Sequence, residues 1–138
     1  MSWFSLAFLL HLLVAVLGVG TVSAIPLSAR FARRAGAPSA SHAAILTGLF
    51  RAARLGFALA FVSGVLVEAS TLGAFHAAPW FRLSIALMLV LAFTHARGAR
   101  ALRASHDASS LVSVERWGWA SCATVALLIA VMIGKPFS

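Results

Sequence analysis

Acidic residues and cysteine are scarce in this sequence of 138 residues, which has three Asp and Glu residues, eleven Lys and Arg residues and one cysteine. Only 10% of the residues are charged, whereas about a quarter are charged in soluble domains. The single Cys122 excludes an internal disulfide and a cysteine-rich metal site. The sequence also has no pair of carboxylates suited to catalysis, no Ser/His/Asp set and no phosphate-binding glycine loop.

Apolar residues make up 62% of the chain, and its mean hydropathy is +0.99. No formal charge occurs from Phe4 to Ile25, and an α-helix crosses a bilayer with roughly 20 apolar residues. Hydropathy places four spans at about residues 3–27, 46–70, 80–102 and 114–134. The sequence therefore predicts an all-α protein in which one domain, residues 1–138, forms a four-helix transmembrane bundle in the lipid bilayer.

Basic residues are distributed unevenly between the two sides of the predicted bundle. Nine arginines lie around the first and third connections, namely Arg30, Arg33, Arg34, Arg51, Arg54, Arg97, Arg100, Arg103 and Arg116. The other side has only Arg82 and Lys135. Because Lys and Arg accumulate on cytoplasmic loops, we expect both arginine-rich connections to face the cytoplasm and both termini to lie outside. The pI of 12.0 then reflects topology, and we expect no nucleic-acid partner.

The end of the first span resembles a signal-peptidase site, with Val22-Ser23-Ala24 followed by Ile25-Pro26. No Lys or Arg precedes the apolar run, and the run is longer than an ordinary signal core, so we interpret it as a retained helix. We expect Pro26 to end this helix. We also expect the basic stretch from Arg30 to Ser41 to form a surface loop whose arginines contact anionic lipid headgroups.

His11 is the one strongly polar side chain in the first span, and polar groups in hydrocarbon are costly enough to suggest a function. It shares a helical face with Ala15, Gly18 and Val22, and small residues let a neighbouring helix approach. We therefore expect His11 to face the bundle interior, either as a ligand of haem iron or hydrogen-bonded to another helix. His95 is a candidate second ligand, but it lies about 10 Å deeper at 1.5 Å per residue, which disfavours a flat bis-histidine haem.

Two charged residues fall near the outer ends of their spans. Glu68 lies near the end of the second span, and Arg82 opens the third at a similar depth. A lone charge at this depth needs a partner or water, so we expect the two residues to lie near one another. They form either a stabilising contact or a catalytic set in which Glu68 accepts a proton. His76, in the loop between them, is a weaker candidate for contact with water, a proton or a metal.

Taken in order, these features resemble a bacterial group of small four-helix membrane proteins. The group includes the HemJ-type protoporphyrinogen oxidases and the membrane domain of the CopD copper-resistance proteins. The resemblance covers nearly the whole chain, and its main points are His11 in the first helix, Arg82 at the start of the third, and the terminal Lys135-Pro136-Phe137. It implies a membrane-buried haem or porphyrin site in which His11 and Arg82 take part.

The chain differs from the HemJ-type oxidases at three motifs. Leu17-Gly18-Val19-Gly20 stands where the oxidases have Trp-x-Ala-Gly, Arg82 replaces a lysine, and Trp117-Gly118-Trp119 replaces an Asn-Glu pair. These differences place the chain nearer to the uncharacterised relatives in the group.

Three functions are compatible with these observations. The first, which the resemblance implies, is binding of haem b or a porphyrin through His11, in a redox or haem-biosynthesis role at the bacterial inner membrane. The second is a non-catalytic membrane subunit in a homo-oligomer or a larger membrane complex, for which small-residue helix faces are suited. The third is copper handling, since thioethers and imidazoles bind copper, although Met1, Met88 and Met132 form no Met-x-x-Met cluster.

The predicted orientation can be tested with reporter fusions. The arginine bias places the termini outside, and the positions of Trp3 and Trp80 at one interface fit the aromatic belts of the same four spans. A reporter fused after Ser138 is therefore expected to be active only on the outer side, and one inserted within residues 35–41 only in the cytoplasm. Cytoplasmic activity of the fusion at Ser138 would overturn this orientation.

Overall fold

Four α-helices account for nearly all of the chain in the computed structural model, which describes residues 2–36, 40–104 and 108–134. They are α1 (Trp3–Arg34), α2 (Ala40–Ser70), α3 (Pro79–Ala104) and α4 (Ala108–Ile133). Each contains a stretch long and apolar enough to cross a membrane, and the described ranges contain no strand. The predicted all-α, four-helix class is confirmed, and the fold is that of a multi-pass membrane protein.

The helices are longer than the predicted spans at one end of the bundle. We call that end, where the nine arginines lie, the arginine-rich end, and the opposite end, with Trp3, residues 71–78 and Ile133, the terminal end. At the arginine-rich end α1 continues beyond residue 27, while α2 and α4 begin six residues before the predicted 46 and 114. The expected loop from Arg30 to Ser41 was therefore wrong for most of its length. Hydropathy marks where the hydrocarbon ends, whereas alanine and arginine favour continued helix.

Pro26 lies inside α1 and does not end it, which corrects the second expectation for this region. Its ring is buried against Gly118 of α4, where an added Cβ would lie only 3.0 Å from both Cβ and Cδ of Pro26. Proline is tolerated within membrane helices when the surrounding structure accommodates it. The missing side chain of Gly118 provides that space, so α1 and α4 approach closely at this point.

The helices pack unequally around the bundle. α1 packs against α2 and α4, and α4 also packs against α3, but α2 and α3 touch much less. α1 and α3 make no close approach within the described residues, so they lie diagonally opposite one another. α1 and α2 approach closely at two glycines, since a Cβ on Gly56 would lie 3.4 Å from the Cα of Gly18. Small residues permit such backbone approach between membrane helices.

The buried core lies toward the arginine-rich half of the bundle. It consists of Val22, Ile25, Ala29, Ala32, Leu46, Phe50, Ala53, Leu91, Leu102, Leu111, Val114 and Val125. Polar contacts reinforce this half: Arg33 of α1 forms an ion pair with Glu115 of α4 at 3.0 Å, and Arg97 lies 5.4 Å over the ring of Trp117. The space that remains open is therefore in the terminal half.

The contact between Pro26 and Gly118 gives a stability prediction. Gly118→Ala is expected to destabilise the protein by about 1–3 kcal/mol, because the new methyl group overlaps the proline ring. The control is Gly20→Ala, where a Cβ meets no atom within 4 Å and where alanine is the better helix former. Thermal unfolding in detergent micelles measures both variants. Equal midpoints for the two would contradict the packing described here.

Candidate functional site

An apolar cavity of about 330 Å³ lies in the terminal half, lined by residues of all four helices and of the loop 71–78. It lies beside α2 and α3, which meet through Phe50, Phe57 and His95 and pack together much less than the other neighbouring pairs. Most of the lining is aliphatic or aromatic, and its few polar side chains include His11, Glu68 and Ser84. Size and composition are those of a small-molecule site, where a few polar groups orient a largely apolar ligand.

His11 lines this cavity, so it faces the bundle interior as its helical face predicts. Its Nδ1 lies 2.9 Å from Oγ of Ser63 on α2, and this Oγ donates at 3.1 Å to the carbonyl oxygen of Ala60. A hydroxyl carries one proton, so while Ser63 donates to Ala60 it accepts from the Nδ1–H of His11. The imidazole then carries its lone pair on Nε2, and the backbone carbonyl of Ala60 also lies within hydrogen-bonding reach of the ring.

The contact between His11 and Ser63 has the form that proteins use to orient a metal-binding histidine. Such histidines donate their second ring N–H to a carbonyl, a carboxylate or another fixed group, which sets both the tautomer and the ring orientation. Gly64 of α2 lies beside the imidazole, since a Cβ there would be in van der Waals contact with Cε1 of His11 at 3.5 Å. The two roles expected for His11 are therefore compatible: Nδ1 makes the hydrogen bond to another helix, and Nε2 is the nitrogen that could bind a metal.

His95, the other histidine predicted as a ligand, lies outside the cavity lining. Its Nε2 donates to the carbonyl oxygen of Phe50 at 3.1 Å, and its ring lies 4.9 Å and 5.1 Å from the rings of Phe50 and Phe57. Its Nδ1 is buried and has no hydrogen-bond partner in the described part of the chain. The structure does not bring His11 and His95 together, and His95 joins α2 to α3.

Glu68 lies where the cavity meets the loop 71–78. Its Oε1 and Oε2 accept from the backbone N–H of Phe75 at 3.2 Å and 3.3 Å, and Oε1 is 3.8 Å from Nδ1 of His76. The Nδ1 of His76 also bonds to the carbonyl oxygen of Gly73. The positive φ angles of Leu72 (54°) and Gly73 (78°) turn the chain back over the end of α2. Glu68 therefore holds the loop that covers the cavity.

Arg82 approaches the same loop from α3. Its Nε donates to the carbonyl oxygen of His76 at 3.4 Å. Glu68 and Arg82 therefore both contact His76, although among the described residues they form no ion pair with each other. The two charges that the sequence predicted to be neighbours are thus connected through His76 and not by a direct ion pair.

Two methionines line the cavity, which sequence spacing did not indicate. Met88 comes from α3 and Met132 from α4, so the fold, and not a local motif, places both side chains in the lining of one cavity. Ser84, four residues before Met88, donates to the carbonyl oxygen of Trp80 at 2.8 Å and lies 3.7 Å from Sδ of Met132. The metal-binding side chains that line the cavity are thus one imidazole, two thioethers and the carboxylate of Glu68.

This donor set fits some metal groups better than others. No group of three or more His, Cys, Asp or Glu side chains that could hold a bare ion occurs within residues 2–36, 40–104 and 108–134. Cys122 lies elsewhere, with its Sγ 3.8 Å from the carbonyl oxygen of Val22. Haem needs one or two axial ligands of the imidazole or thioether type and an apolar surrounding. The residues present meet that requirement.

Comparison with protein-family models, with curated proteins and with solved structures finds no match to this chain. The class that the fold and cavity define is a multi-pass membrane protein, built as a four-helix bundle with an internal apolar pocket.

The role of Glu68 in holding the loop can be tested with two substitutions. Glu68→Ala removes the acceptor of the Phe75 N–H, and losing such a partner costs about 1–3 kcal/mol. Hydrogen exchange of the peptide covering residues 71–78 is therefore expected to rise roughly tenfold. Glu68→Gln keeps an acceptor oxygen and is expected to exchange like the wild type. If the two variants exchange equally fast, Glu68 does not hold the loop through this bond.

Proposed function

We propose that this protein binds haem b or a porphyrin in the apolar cavity, with His11 as the iron ligand, in a redox or haem-biosynthesis role at a bacterial inner membrane. The observation that carries the proposal is the ring of His11. With its Nδ1–H donated to Ser63, the ring has Nε2 as its ligand nitrogen beside a cavity of about 330 Å³. Buried imidazoles that only stabilise a helix contact do not require such a space beside them.

The surroundings of His11 suit a flat, hydrophobic ligand. The lining includes aromatic rings from α1, α2 and the loop, among them Phe8, Phe57 and Phe75. A Cβ on Gly18 would meet no atom within 4 Å, so the cavity is open beside the α1 backbone. These features exclude water and leave room for a planar ring system next to the imidazole.

Arg82 is the residue that we propose for the carboxylates of the ligand. It lies at the terminal end on the loop side of the cavity, and its guanidinium makes one hydrogen bond, to His76, within the described residues. Guanidinium groups bind carboxylates through two parallel N–H bonds. The resemblance to the HemJ-type group implies the same two positions, His11 and Arg82. Glu68, at the mouth of the cavity, is the proposed proton acceptor.

Haem iron, when bound, supplies reversible one-electron chemistry tuned by its axial ligands. His11 would hold the iron, and donation of its Nδ1–H to Ser63 would favour the tautomer that binds metal. The apolar lining keeps water from the site, and Glu68 provides a carboxylate between the cavity and the loop. The chain's own residues thus bind the ligand, orient it and offer an exit for protons.

Copper handling is the second candidate, and one observation favours it. The thioethers of Met88 and Met132 line the same cavity as the His11 imidazole, and soft ligands of this kind select Cu(I). A non-catalytic role in a larger membrane complex or homo-oligomer is the third candidate. The three are separated by what the purified protein carries.

His11→Ala is expected to abolish haem binding while leaving a folded, membrane-inserted protein, because it removes the ligand nitrogen and little volume. Haem content should fall by at least about tenfold, since even outer partners of metal ligands matter by 10–100-fold. The measurement is a visible spectrum with a pyridine haemochrome assay on protein purified in detergent from haem-replete cells. His95→Gln, which keeps a donor for Phe50, and His76→Ala are the controls and should retain the spectrum.

A colourless wild type that takes up neither haem nor porphyrin on titration would defeat the haem proposal. Metal analysis of the same sample then separates the alternatives, because bound copper favours the second candidate and no metal favours the third. A spectrum that survives His11→Ala and is lost in one control would move the ligand role to that histidine.

A further inference from the structure

The haem proposal leaves one side of the iron without a ligand. His95 cannot supply it, because its Nε2 is bonded to Phe50 and it does not line the cavity. The carboxylate of Glu68 accepts from the backbone N–H of Phe75, so the remaining donors in the cavity are the sulfurs of Met88 and Met132. A thioether is an ordinary second axial ligand for haem opposite a histidine.

Met88 is on the helix that is correctly placed for this role. α1 and α3 are diagonally opposite, whereas α4, which carries Met132, packs directly against α1. Adjacent helix axes lie about 8–10 Å apart, so diagonal axes in a square bundle are roughly 11–14 Å apart. Two axial side chains with a metal between them need the diagonal separation, because the adjacent one is too short to hold all three. A ligand opposite His11 is therefore expected from α3.

The depth of Met88 also matches that of His11. Depth can be compared along the axis of α2, which both histidines contact. His11 of α1 lies at the height of Ser63, and His95 of α3 lies at the height of the stretch between Phe50 and Phe57. The centre of that stretch lies roughly 14 Å from Ser63 toward the arginine-rich end, at 1.5 Å per residue. Met88 precedes His95 by about seven residues, so it lies roughly 10 Å closer to the terminal end. The remaining offset from His11 is about 4 Å, less than one helical turn.

The flexibility of methionine and the surroundings of the two sulfurs also favour Met88 as the ligand. A methionine side chain has three rotatable bonds, enough to cover an offset of this size. Met132, in contrast, has its sulfur 3.7 Å from the hydroxyl of Ser84. Met88 has no hydrogen bond to its sulfur among the described residues, and it packs against the edge of the core.

We propose that the thioether of Met88 is the second axial ligand of the haem iron, opposite His11, in the cavity between α1 and α3. This inference rests on the proposed haem function and adds the second ligand of that site. It predicts a six-coordinate haem with a raised reduction potential, because a thioether opposite a histidine favours the reduced iron.

The test compares four proteins purified from haem-replete cells: the wild type, Met88→Leu, Met88→His and Met132→Leu. Leucine for methionine conserves volume and is well tolerated in cores. The readouts are oxidised and reduced spectra, carbon monoxide binding and the midpoint potential. Each is independent of any enzymatic activity.

The wild type is expected to be low-spin, six-coordinate and resistant to carbon monoxide. Met88→Leu should become five-coordinate and high-spin, bind carbon monoxide and show a lower midpoint potential. Met88→His should restore the low-spin spectrum with a potential below that of the wild type, since imidazole replaces the thioether. Met132→Leu, the matched change on α4, should behave like the wild type.

Failure of the ligand assignment is distinguishable from failure of the haem proposal. A wild type without haem or porphyrin defeats the proposed function itself. A wild type that carries haem with five-coordinate iron, or a Met88→Leu protein with an unchanged spectrum, overturns only the role of Met88. Loss of the low-spin spectrum in Met132→Leu instead would also overturn it and assign the ligand to α4.

Discussion

α2 and α3 meet through Phe50, Phe57 and His95, and they pack together much less than the other neighbouring pairs, α1 with α2, α1 with α4 and α3 with α4. Because the other three sides of the bundle pack closely, the loose fourth side leaves a space inside and does not split the bundle. The cavity and the position of His11 beside it depend on this weak contact between α2 and α3.

The fold could be predicted from the sequence because lipid imposes few alternatives: apolar segments of this length must satisfy their backbone internally and therefore form helices. The ends of the helices could not be predicted in this way. Hydropathy reports where side chains leave the hydrocarbon, and the arginine-bearing turns of α1, α2 and α4 continue past that level. Pro26 was misjudged because its effect is decided by Gly118, a residue on another helix, and one-dimensional patterns do not contain such pairings.

The candidate site was partly predictable for a similar reason. His11 is recognisable because a polar side chain in an apolar span is rare and costly, and its interior face follows from helical spacing alone. Its hydrogen-bond partner Ser63 lies on α2, and the methionines that line the same cavity lie on α3 and α4. Only packing of the helices makes these residues neighbours of His11. His95 is likewise a polar residue in an apolar span, yet its ring packs on Phe50 and Phe57, so it lies at the contact between α2 and α3. Residue type therefore identified candidates, and three-dimensional contacts separated them.

The buried Nδ1 of His95 weakens the joint between α2 and α3. An acceptor removed from water without a donor costs about 1–3 kcal/mol, and no donor for it is present within the described residues. Local opening of folded proteins begins where buried contacts are few, so the motion expected first is a separation of these two helices. Any donor that this motion brings to Nδ1 restores the lost hydrogen bond, so the unsatisfied atom favours the separated state.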